Sequence, residues 1–442
     1  MNINSLLLLS FLSIILIFTG CETPVGDSAE SAGPQLTADP DNGGLDLPAG
    51  FGAIVVADST GRGRHLAVRE NGDIYVMLRN AEAGQSIAAL RDTTNDGKAD
   101  IIEYFGEHSG TGIAIYDNYL YYSSDSSIHR IPFTNDELVP TSTPETVAAG
   151  FIFRSQHEAK SFTIDDDGYL YVNVGAPANA CQQEGRTKGS PGQDPCPLLE
   201  RFAGVWRFRA DELNQQQEED GHHYVTGTRN LVAIQYNPVS DSVYAVMHGR
   251  DQLNSLFPDH FDTEDNAQLP AEEFLLLHDG ADFGWPYCYY DGLQDQKVLA
   301  PEYGGDGEQV GRCEEKDDPI MDFPAHWAPN DLIFYTGDKF PELYQGGAFI
   351  AFHGSWNRAP LEQEGYNITF VPFNGALPSG DFEVFARGFP NTEEIKSTGD
   401  AEYRPTGVAV GADGSLYVSD SRKGRVWRIF YNGDGAEQMA LK

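Results

Sequence analysis

Basic residues are scarce in this chain of 442 residues. Lys and Arg number 29 against 67 Asp and Glu, so the formal net charge at pH 7 is −38. A surface this acidic repels phosphate backbones and anionic membranes. We therefore expect no nucleic-acid partner, and the acidity itself indicates solubility rather than a particular activity.

Long apolar runs are missing after residue 18. The run at residues 6–18 is too short for a membrane span and has the length of a signal-peptide core. Thr19-Gly20-Cys21 follows it and resembles a bacterial lipobox, in which Cys21 is acylated. We predict a signal peptide over residues 1–21 and export as a periplasmic or cell-envelope lipoprotein that meets the membrane only through its lipid; an ordinary secretory signal is the alternative. Residues 22–45 are rich in Gly, Pro, Ser and acidic residues and are predicted to form a flexible tether.

Cysteine is also rare, and its spacing excludes two cofactor sites. No pair has the C-x-x-C spacing of a zinc site, and the C-x-x-C-H motif of covalent haem is absent. Setting Cys21 aside leaves four cysteines, which allow three disulfide pairings. The sequence-local pairing is Cys181–Cys196 with Cys288–Cys313, and in an exported protein structural disulfides are the expected state. Each would stabilise its loop by roughly 3 kcal/mol.

Helical periodicity is scarce, and a hairpin pattern takes its place. An alternating strand, a turn with Gly, Asp or Asn, and a strand containing Tyr recur in HLAVRENGDIYVML, GIAIYDNYLYYSS, SFTIDDDGYLYVNVG, LVAIQYNPVSDSVYAVMHG, LIFYTGDKFPELYQGGAFIAFHG and GVAVGADGSLYVSDS. Six such units over residues 46–442 predict one all-β catalytic domain, a six-bladed β-propeller with long inter-strand loops. The strand from Gly50 is predicted to close the last blade, and residues 251–330 to form an elaborated loop.

Polar residues flank corresponding strand ends in several of these units. They are His157 before the third hairpin, Arg229-Asn230 before the fourth, the His248–Asp251 stretch after it, the His353–Arg358 stretch after the fifth and Arg404 before the sixth. In a propeller these positions meet at the mouth of the central channel. Several cationic or imidazole groups there would suit an anionic ligand, because Arg binds carboxylates in bidentate fashion. Alternatively, each caps a strand or pairs with a nearby acid.

The ordered set of motifs resembles one known family. His157 with DDDGYLYVNVG, then GTRN at residues 227–230, FGWP at 283–286, HGSWNR at 353–358 and RPTGVAVGADGSLYVSD from Arg404 resemble the soluble sugar dehydrogenases that depend on pyrroloquinoline quinone (PQQ). This is the glucose/sorbosone dehydrogenase family, and the sorbosone and pyranose dehydrogenase branch is the more similar. The resemblance covers nearly all of the chain after residue 45.

The resemblance implies a cofactor site and residue roles. It implies PQQ in the channel mouth with calcium beneath it. It also implies that His157 is the general base, which takes the sugar's hydroxyl proton while hydride leaves for the quinone. Arg229 would lie against the quinone oxygen. The remaining implied roles are cofactor contacts by Asn230, His248 and Trp356, carboxylate binding by Arg358 and Arg404, and calcium binding by the backbone carbonyls of Gly249 and Arg250. The glucose enzyme has Gln-Gly-Pro where this chain has His248-Gly249-Arg250.

Together these features predict an exported oxidoreductase that acts on CH–OH groups of an aldose or related sugar, polyol or aldehyde. Its electrons would pass to a separate acceptor, since the chain carries no haem motif. A non-catalytic propeller that binds a protein or carbohydrate partner is the alternative, and the Glu, Asn and Asp set of a lactonase-type propeller is not found. The stretch DTTNDGKAD at residues 92–100 fits either a second calcium loop or a charged turn.

Overall fold

The structure is a computed structural model and describes residues 36–433 of the chain. This part contains thirty β-strands and two short α-helices. The first fifteen strands are β1 Phe51–Ala57, β2 Gly63–Val68, β3 Ile74–Glu82, β4 Gln85–Arg91, β5 Ile101–Phe105, β6 Ile113–Tyr116, β7 Tyr119–Ser123, β8 Ile128–Pro132, β9 Glu145–Ala149, β10 Phe162–Ile164, β11 Tyr169–Val174, β12 Gly204–Arg209, β13 Gln215–Gln216, β14 His222–Thr226 and β15 Ala233–Asn237.

The second half of the chain contains the remaining strands and both α-helices. The strands are β16 Ser242–Met247, β17 Glu272–Leu277, β18 Ala281–Asp282, β19 Cys288–Asp291, β20 Gln296–Leu299, β21 Met321–Phe323, β22 Pro329–Phe334, β23 Ala348–Phe352, β24 Asn367–Val371, β25 Phe373–Asn374, β26 Leu377–Pro378, β27 Glu383–Ala386, β28 Pro405–Val410, β29 Leu416–Asp420 and β30 Val426–Tyr431. The α-helices are α1 Leu253–Leu256 and α2 Thr263–Gln268. Five 3-10 turns lie at Asn42–Gly44, Pro197–Glu200, Pro301–Tyr303, Gly311–Glu315 and Glu342–Tyr344.

Six antiparallel sheets form the blades of a β-propeller, as the sequence predicts. In order they are β2-β3-β4-β5, β6-β7-β8-β9, β10-β11-β12-β14, β15-β16-β17-β21, β22-β23-β24-β27 and β28-β29-β30-β1. Short parallel strands, β13 and β18, extend the second and third blades. The first strand of each blade lines the central channel, so the start of each first strand and the end of each second strand lie on the same face.

The predicted closure of the ring is confirmed. Strand β1 pairs antiparallel with β30, with Phe51 opposite Tyr431 and Ile54 opposite Arg428. The first and last strands of the propeller therefore share one blade. Residues 36–45, assigned to the tether from their composition, are part of this fold, because the Asp39 carboxylate accepts the Val55 N–H at 2.8 Å and Leu45 is buried in the core.

Alternating side chains of each blade pack against the next blade, which explains the period-2 pattern of the hairpins. Between the fifth and sixth blades, Phe51 meets Phe340, Tyr344 and Phe385 edge-on, with ring centroids 4.8, 5.4 and 5.0 Å apart. Trp427 is fully buried in the same cluster. The described residues contain no helix that is long and apolar enough to cross a membrane.

The predicted loop at residues 251–330 is more regular than its sequence suggests. It contains two strands of the fourth blade, β17 and β21, besides both α-helices and the β19–β20 hairpin. Alternation failed to reveal β17 because its sequence, EEFLLL, groups its two polar residues at one end instead of alternating them with apolar ones. Both sequence-local disulfides, Cys181–Cys196 and Cys288–Cys313, are formed. The predicted signal peptide, with Cys21, and residues 22–35 of the tether lie outside the described residues.

Candidate active site

The channel mouth collects most of the residues that the sequence singled out. His157 precedes β10, Arg229 and Asn230 precede β15, His248 follows β16, and Arg404 precedes β28. Beneath them, the channel holds a cavity of about 240 Å³ lined by the first strands of all six blades. The repeat therefore brings side chains from distant parts of the sequence to one opening.

His157 has one imidazole nitrogen committed and the other available. Its Nδ1 lies 2.5 Å from the carbonyl oxygen of Ala176. A carbonyl oxygen only accepts, so Nδ1 carries the proton and Nε2 keeps its lone pair. Burial, with the positive charge of Arg229, lowers the pKa of His157 well below the ordinary value. The ring is therefore neutral at physiological pH and can accept a proton only at Nε2.

The backbone around His157 is strained and tightly packed. The φ of His157 is +54°, in the left-handed region that non-glycine residues seldom occupy. Gly175 lies against it: a Cβ added there would come within 2.8 Å of both the His157 Cβ and the Asn230 Oδ1. Such strain persists where the surroundings over-determine it, as at binding and catalytic sites.

Arg229 is fixed by a buried polar network. Its Nη2 donates to Asp251 Oδ2 at 2.9 Å and to Asn179 Oδ1 at 3.1 Å. Asn179 Oδ1 also accepts the Asp251 N–H, and its Nδ2 donates to the Asp251 carbonyl, both at 2.9 Å. Burial alone would raise the pKa of Asp251, but nearby positive charges, Arg229 foremost, outweigh it and hold the pKa at about 2. The mouth therefore contains a neutral base beside an ionised Arg–Asp pair.

Asn230 carries an unused acceptor. Its side chain is buried, and its Oδ1 has no hydrogen-bond partner within the described residues. Buried polar atoms normally find partners, so an orphan at the mouth indicates a missing ligand or water. The donor that this oxygen lacks would come from whatever occupies the mouth.

Two more imidazoles at the mouth are also neutral. His248 Nε2 donates to the Pro329 carbonyl at 2.6 Å, and burial lowers the pKa of His248 to about 4. His353 Nε2 lies 2.6 Å from Ser421 Oγ, and burial with the charge of Arg404 lowers the pKa of His353 well below its ordinary value. These two histidines use Nε2 for their contacts with the protein, whereas His157 uses Nδ1.

The turn at Gly249 and Arg250 follows β16 and leads to Asp251. The Arg250 side chain is buried and forms an ion pair with Glu302. The Gly249 N–H donates to Glu272 at 2.7 Å. Within the described residues, no backbone N–H donates to the carbonyl oxygens of Gly249 and Arg250. Free carbonyl oxygens on adjacent residues fit the oxygen ligands that calcium takes.

Arg404 belongs to a positively charged pocket. Together with Arg62 and Arg422 it lines a cavity of about 400 Å³. Its Nε and Nη2 donate to the His353 and Gly354 carbonyls at 3.0 and 2.5 Å. Burial, together with the positive charges of Arg422 and Arg62, lowers the pKa of Arg404 to about 10. Backbone carbonyls hold all three guanidiniums in place, and such a cluster would suit an anion in a protein of net charge −38.

Two residues predicted to contact the cofactor, Arg358 and Trp356, take no part in the polar contacts described above. Arg358 donates to Glu364 at 2.6 Å and to the Ala267 carbonyl at 2.8 Å, and it lines a separate cleft on the outer surface. Trp356 is half exposed. Their roles stay predictions, and Arg358 has a structural partner that the sequence did not reveal.

The loop at residues 92–100 uses its acidic residues internally. The Asp92 carboxylate accepts N–H groups of Thr94, Asn95 and Gly97, and Asp100 Oδ2 accepts those of Thr93 and Thr94. These contacts are those of a capped turn. In residues 36–433, no three His, Cys, Asp or Glu side chains converge as a metal site would require.

Sequence reasoning missed several residues of the mouth. Asn179 lies in a loop without any repeat pattern, and Glu272 lies in a strand that alternation did not reveal. Arg62 had a visible signal, because it precedes the first hairpin much as Arg229 and Arg404 precede the fourth and sixth. A comparison of all six units at that position would have found it.

Comparisons with known proteins agree with this architecture. The family model described as TrAA12-like matches residues 45–432. An uncharacterized protein of Borreliella burgdorferi is 28% identical over 206 residues, which are 46% of this chain and 48% of that protein. A pyrroloquinoline quinone-dependent pyranose dehydrogenase of Coprinopsis cinerea is 28% identical over 286 residues, or 54% of this chain and 36% of that protein. This chain thus spans half or less of these relatives' length.

Solved structures share the fold. The holo PQQ domain of pyranose dehydrogenase from Coprinopsis cinerea superposes with a TM-score of 0.69 at 18% identity, covering 87% of this chain and 97% of that one. The calcium structure of a Trichoderma reesei enzyme of Carbohydrate-Active Enzymes Family AA12 gives 0.71 at 16% identity, covering 90% and 99%. The family match, which extends from the end of the predicted tether to the last blade, confirms the resemblance seen in the motifs. The chain belongs to the TrAA12-like family.

Proposed function

We propose that this protein is a PQQ-dependent dehydrogenase that oxidises a CH–OH group of a sugar. The observation that carries the proposal is His157, a neutral imidazole with Nδ1 committed to Ala176 and Nε2 available, beside the buried Arg229–Asp251 pair. The names of the Coprinopsis cinerea relatives support the cofactor and the substrate class.

The residues at the mouth fit the cofactor. PQQ carries three carboxylates and quinone oxygens, and the pocket of Arg62, Arg404 and Arg422 would hold carboxylates. Arg229 would donate to a quinone oxygen, and the unpartnered Oδ1 of Asn230 would accept from the pyrrole N–H of the cofactor. The carbonyls of Gly249 and Arg250 would bind a calcium ion. When bound, the quinone would supply the two-electron acceptor that no amino-acid side chain provides.

His157 would remove the hydroxyl proton of the sugar at Nε2. The Ala176 carbonyl fixes the tautomer and the ring orientation, so the lone pair is present before substrate arrives. The imidazolium that forms is stabilised by the same carbonyl and by the charge of Asp251. Arg229, held by Asn179 and Asp251, would keep a positive charge where negative charge develops.

The proposal includes export and a separate electron acceptor. The apolar run at residues 6–18 followed by Thr19-Gly20-Cys21 supports a lipid-anchored exported protein. The lack of a C-x-x-C-H motif supports an acceptor outside this chain. Aldoses and related polyols or aldehydes are the proposed substrate class.

The test starts from the purified apo-protein without residues 1–21. We would titrate PQQ with and without Ca²⁺ and then add a panel of aldoses with an artificial electron acceptor. We expect calcium-dependent, stoichiometric binding and dye reduction by at least one sugar. His157→Ala should lower kcat/KM by about 10²- to 10⁴-fold, the usual contribution of a general base. His222→Ala is the matched control. This exposed histidine lies on β14, an outer strand of the third blade, and pairs with Asp279.

The result that would overturn the proposal is the absence of PQQ binding in the presence of calcium. The alternative would then be a non-catalytic propeller that binds a partner. Binding with an active His157→Ala variant would instead retain the cofactor and remove the role of this base.

A further inference from the structure

Two adjacent buried glutamates begin β17 and point in opposite directions. Glu272 and Glu273 are 2% and 3% exposed. Successive side chains of a strand alternate between its faces. Glu273 pairs with the buried Lys297. Glu272 forms no ion pair within the described residues. Its side chain instead contacts Gly249, in the turn that follows β16.

Glu272 joins two segments of the channel mouth. Its Oε2 accepts the Gly249 N–H at 2.7 Å, and its Oε1 accepts the Ala328 N–H at 2.9 Å. These amides are 79 residues apart and belong to different blades. One carboxylate therefore ties the turn after the fourth blade's second strand to the entry of the fifth blade.

Both segments lead directly to site residues. On the first, Asp251 follows Gly249 by two positions and contacts Arg229. On the second, the residue after Ala328 is Pro329, whose carbonyl accepts the His248 imidazole N–H at 2.6 Å. Fixing these two amides therefore fixes Asp251 and His248 as well.

The local backbone needs such a tie. Ala328 has a φ of +58°, an unfavourable conformation for a residue with a Cβ. Gly249 is closely packed, since an added Cβ would lie 3.0 Å from the Pro270 Cγ. A strained residue and a crowded turn remain in place only when surrounding contacts hold them.

We propose that Glu272 is a positioning residue that sets the Gly249–Arg250 carbonyls and the Asp251 carboxylate for cofactor and calcium binding. This inference rests on the proposed function and deepens it. Glu272 reaches the site through the Gly249 and Ala328 amides. A carboxylate suits the task because both of its oxygens accept, so two N–H groups are satisfied at once.

The matched variants are Glu272→Gln and Glu273→Gln. Each replaces a buried carboxylate by an amide of the same size on the same strand. In Glu272→Gln an NH₂ group would face one backbone N–H and lose that hydrogen bond. We expect the calcium-dependent affinity for PQQ, measured by calorimetry on the apo-protein, to fall about 10- to 100-fold, as for partners of metal ligands in general. Glu273→Gln should leave that affinity within about threefold of wild type.

A second readout separates positioning from a merely structural role. At saturating PQQ and Ca²⁺, kcat of Glu272→Gln should return close to wild type, because Glu272 contacts no reacting atom, while the calcium concentration for half-activation stays raised. Equal affinities for the two variants, or a loss of kcat that saturation does not restore, would overturn the inference.

Hydrogen exchange on the apo-protein tests the contact without any cofactor. We expect faster exchange in peptides covering Gly249 and Ala328 in Glu272→Gln and unchanged exchange there in Glu273→Gln. If wild type binds no PQQ, the proposed function fails, but the exchange experiment still decides whether Glu272 holds the two segments.

Glu272→Asp is the second variant if Glu272→Gln does not fold. It keeps the charge but is one methylene shorter, so it should also weaken one of the two contacts. Unchanged exchange in that variant would contradict the inference.

Discussion

At the scale of single residues, Asn179 shows how one short side chain can organise the mouth. Its Oδ1 accepts from Arg229 and from the Asp251 N–H, while its Nδ2 donates to the Asp251 carbonyl. Its own carbonyl accepts the Trp285 indole N–H at 3.0 Å. Only a side-chain amide offers a donor and an acceptor at this length, so aspartate would lose one of the contacts.

A buried acid in the channel should govern part of the pH dependence of stability. Asp331 is 6% exposed and accepts the Leu332 and Val408 N–H groups, each at 2.9 Å. Burial outweighs these bonds and raises the pKa of Asp331 to about 8. Between pH ~4 and ~8 the folded protein holds a proton that the unfolded chain releases, so stability falls as pH rises, by up to about 1.4 kcal/mol per pH unit.

The measurement is urea unfolding from pH 5 to pH 8 at constant ionic strength. Asp331→Asn cannot titrate and should remove this part of the slope, even if its absolute stability is lower. Asp117→Asn, on an exposed turn, should follow wild type. A slope for Asp331→Asn equal to that of wild type would show that Asp331 is ionised in the folded protein.

The sequence predicted those site residues that occupy repeated positions. His157, Arg229 and Arg404 stand at the starts of blades, where the repeat itself indicates convergence. Asn179 and Glu272 could not be found that way, because their contacts are set by loop geometry. Arg229 lies 50 residues from Asn179, and Gly249 and Ala328 lie 23 and 56 residues from Glu272. Arg358 has a structural partner that its motif did not indicate, because its side chain pairs with Glu364, and its cofactor role stays a prediction.

At the scale of elements, the two disulfide loops form a wall beside the mouth. The Gly192 N–H donates to the Glu302 carbonyl at 2.9 Å, and the Cys196 N–H donates to Tyr287 Oη at 2.8 Å. Arg186, inside the first loop, reaches Asp251 at 3.0 Å. The loop closed by Cys181–Cys196 therefore contributes to the site as well as to stability.

Removing the first disulfide should weaken the protein and loosen this wall. The bridge closes a loop with a sequence separation of 15. Replacing both cysteines by alanine should lower the free energy of unfolding by about 3 kcal/mol, chiefly through the entropy of the unfolded chain. Urea unfolding measures the loss. The double alanine variant of Cys288–Cys313 is the control for chain entropy, and only the first variant should increase exchange in the loop that carries Arg186.

Secondary structure was predictable wherever turn residues separate two strand-like runs in the sequence. All six hairpins have that pattern, although strands such as β23 and β29 are buried along their whole length. The third and fourth strands of the fourth blade escaped prediction, since β17 reads EEFLLL, with its polar residues grouped at one end, and β21 has only three residues. Neither strand forms a tight hairpin that the sequence pattern could reveal.

At the scale of the whole molecule, the propeller is a ring closed by its first and last strands. Strand β1 completes the sixth blade beside β30, so the ends of the fold meet although more than 360 residues separate them. The ion pair between Arg425 and Asp58 and the hydrogen bond from the Trp427 indole N–H to the Gly43 carbonyl join the same two ends. Cooperativity around the ring should therefore depend on this closure.

The closing strand should stabilise all six blades rather than one. Phe51, on β1, packs against three aromatic rings of the fifth blade's core. Phe51→Ala should cost about 3 to 5 kcal/mol through lost burial and the cavity left behind. Phe153→Ala, at a residue that is 57% exposed, should change stability by less than about 0.5 kcal/mol. Because β1 closes the ring, we expect Phe51→Ala to shift a single transition to lower urea, with near-UV and far-UV circular dichroism coincident. Two separated transitions would instead show that the sixth blade detaches on its own and that closure stabilises only the blade that contains it.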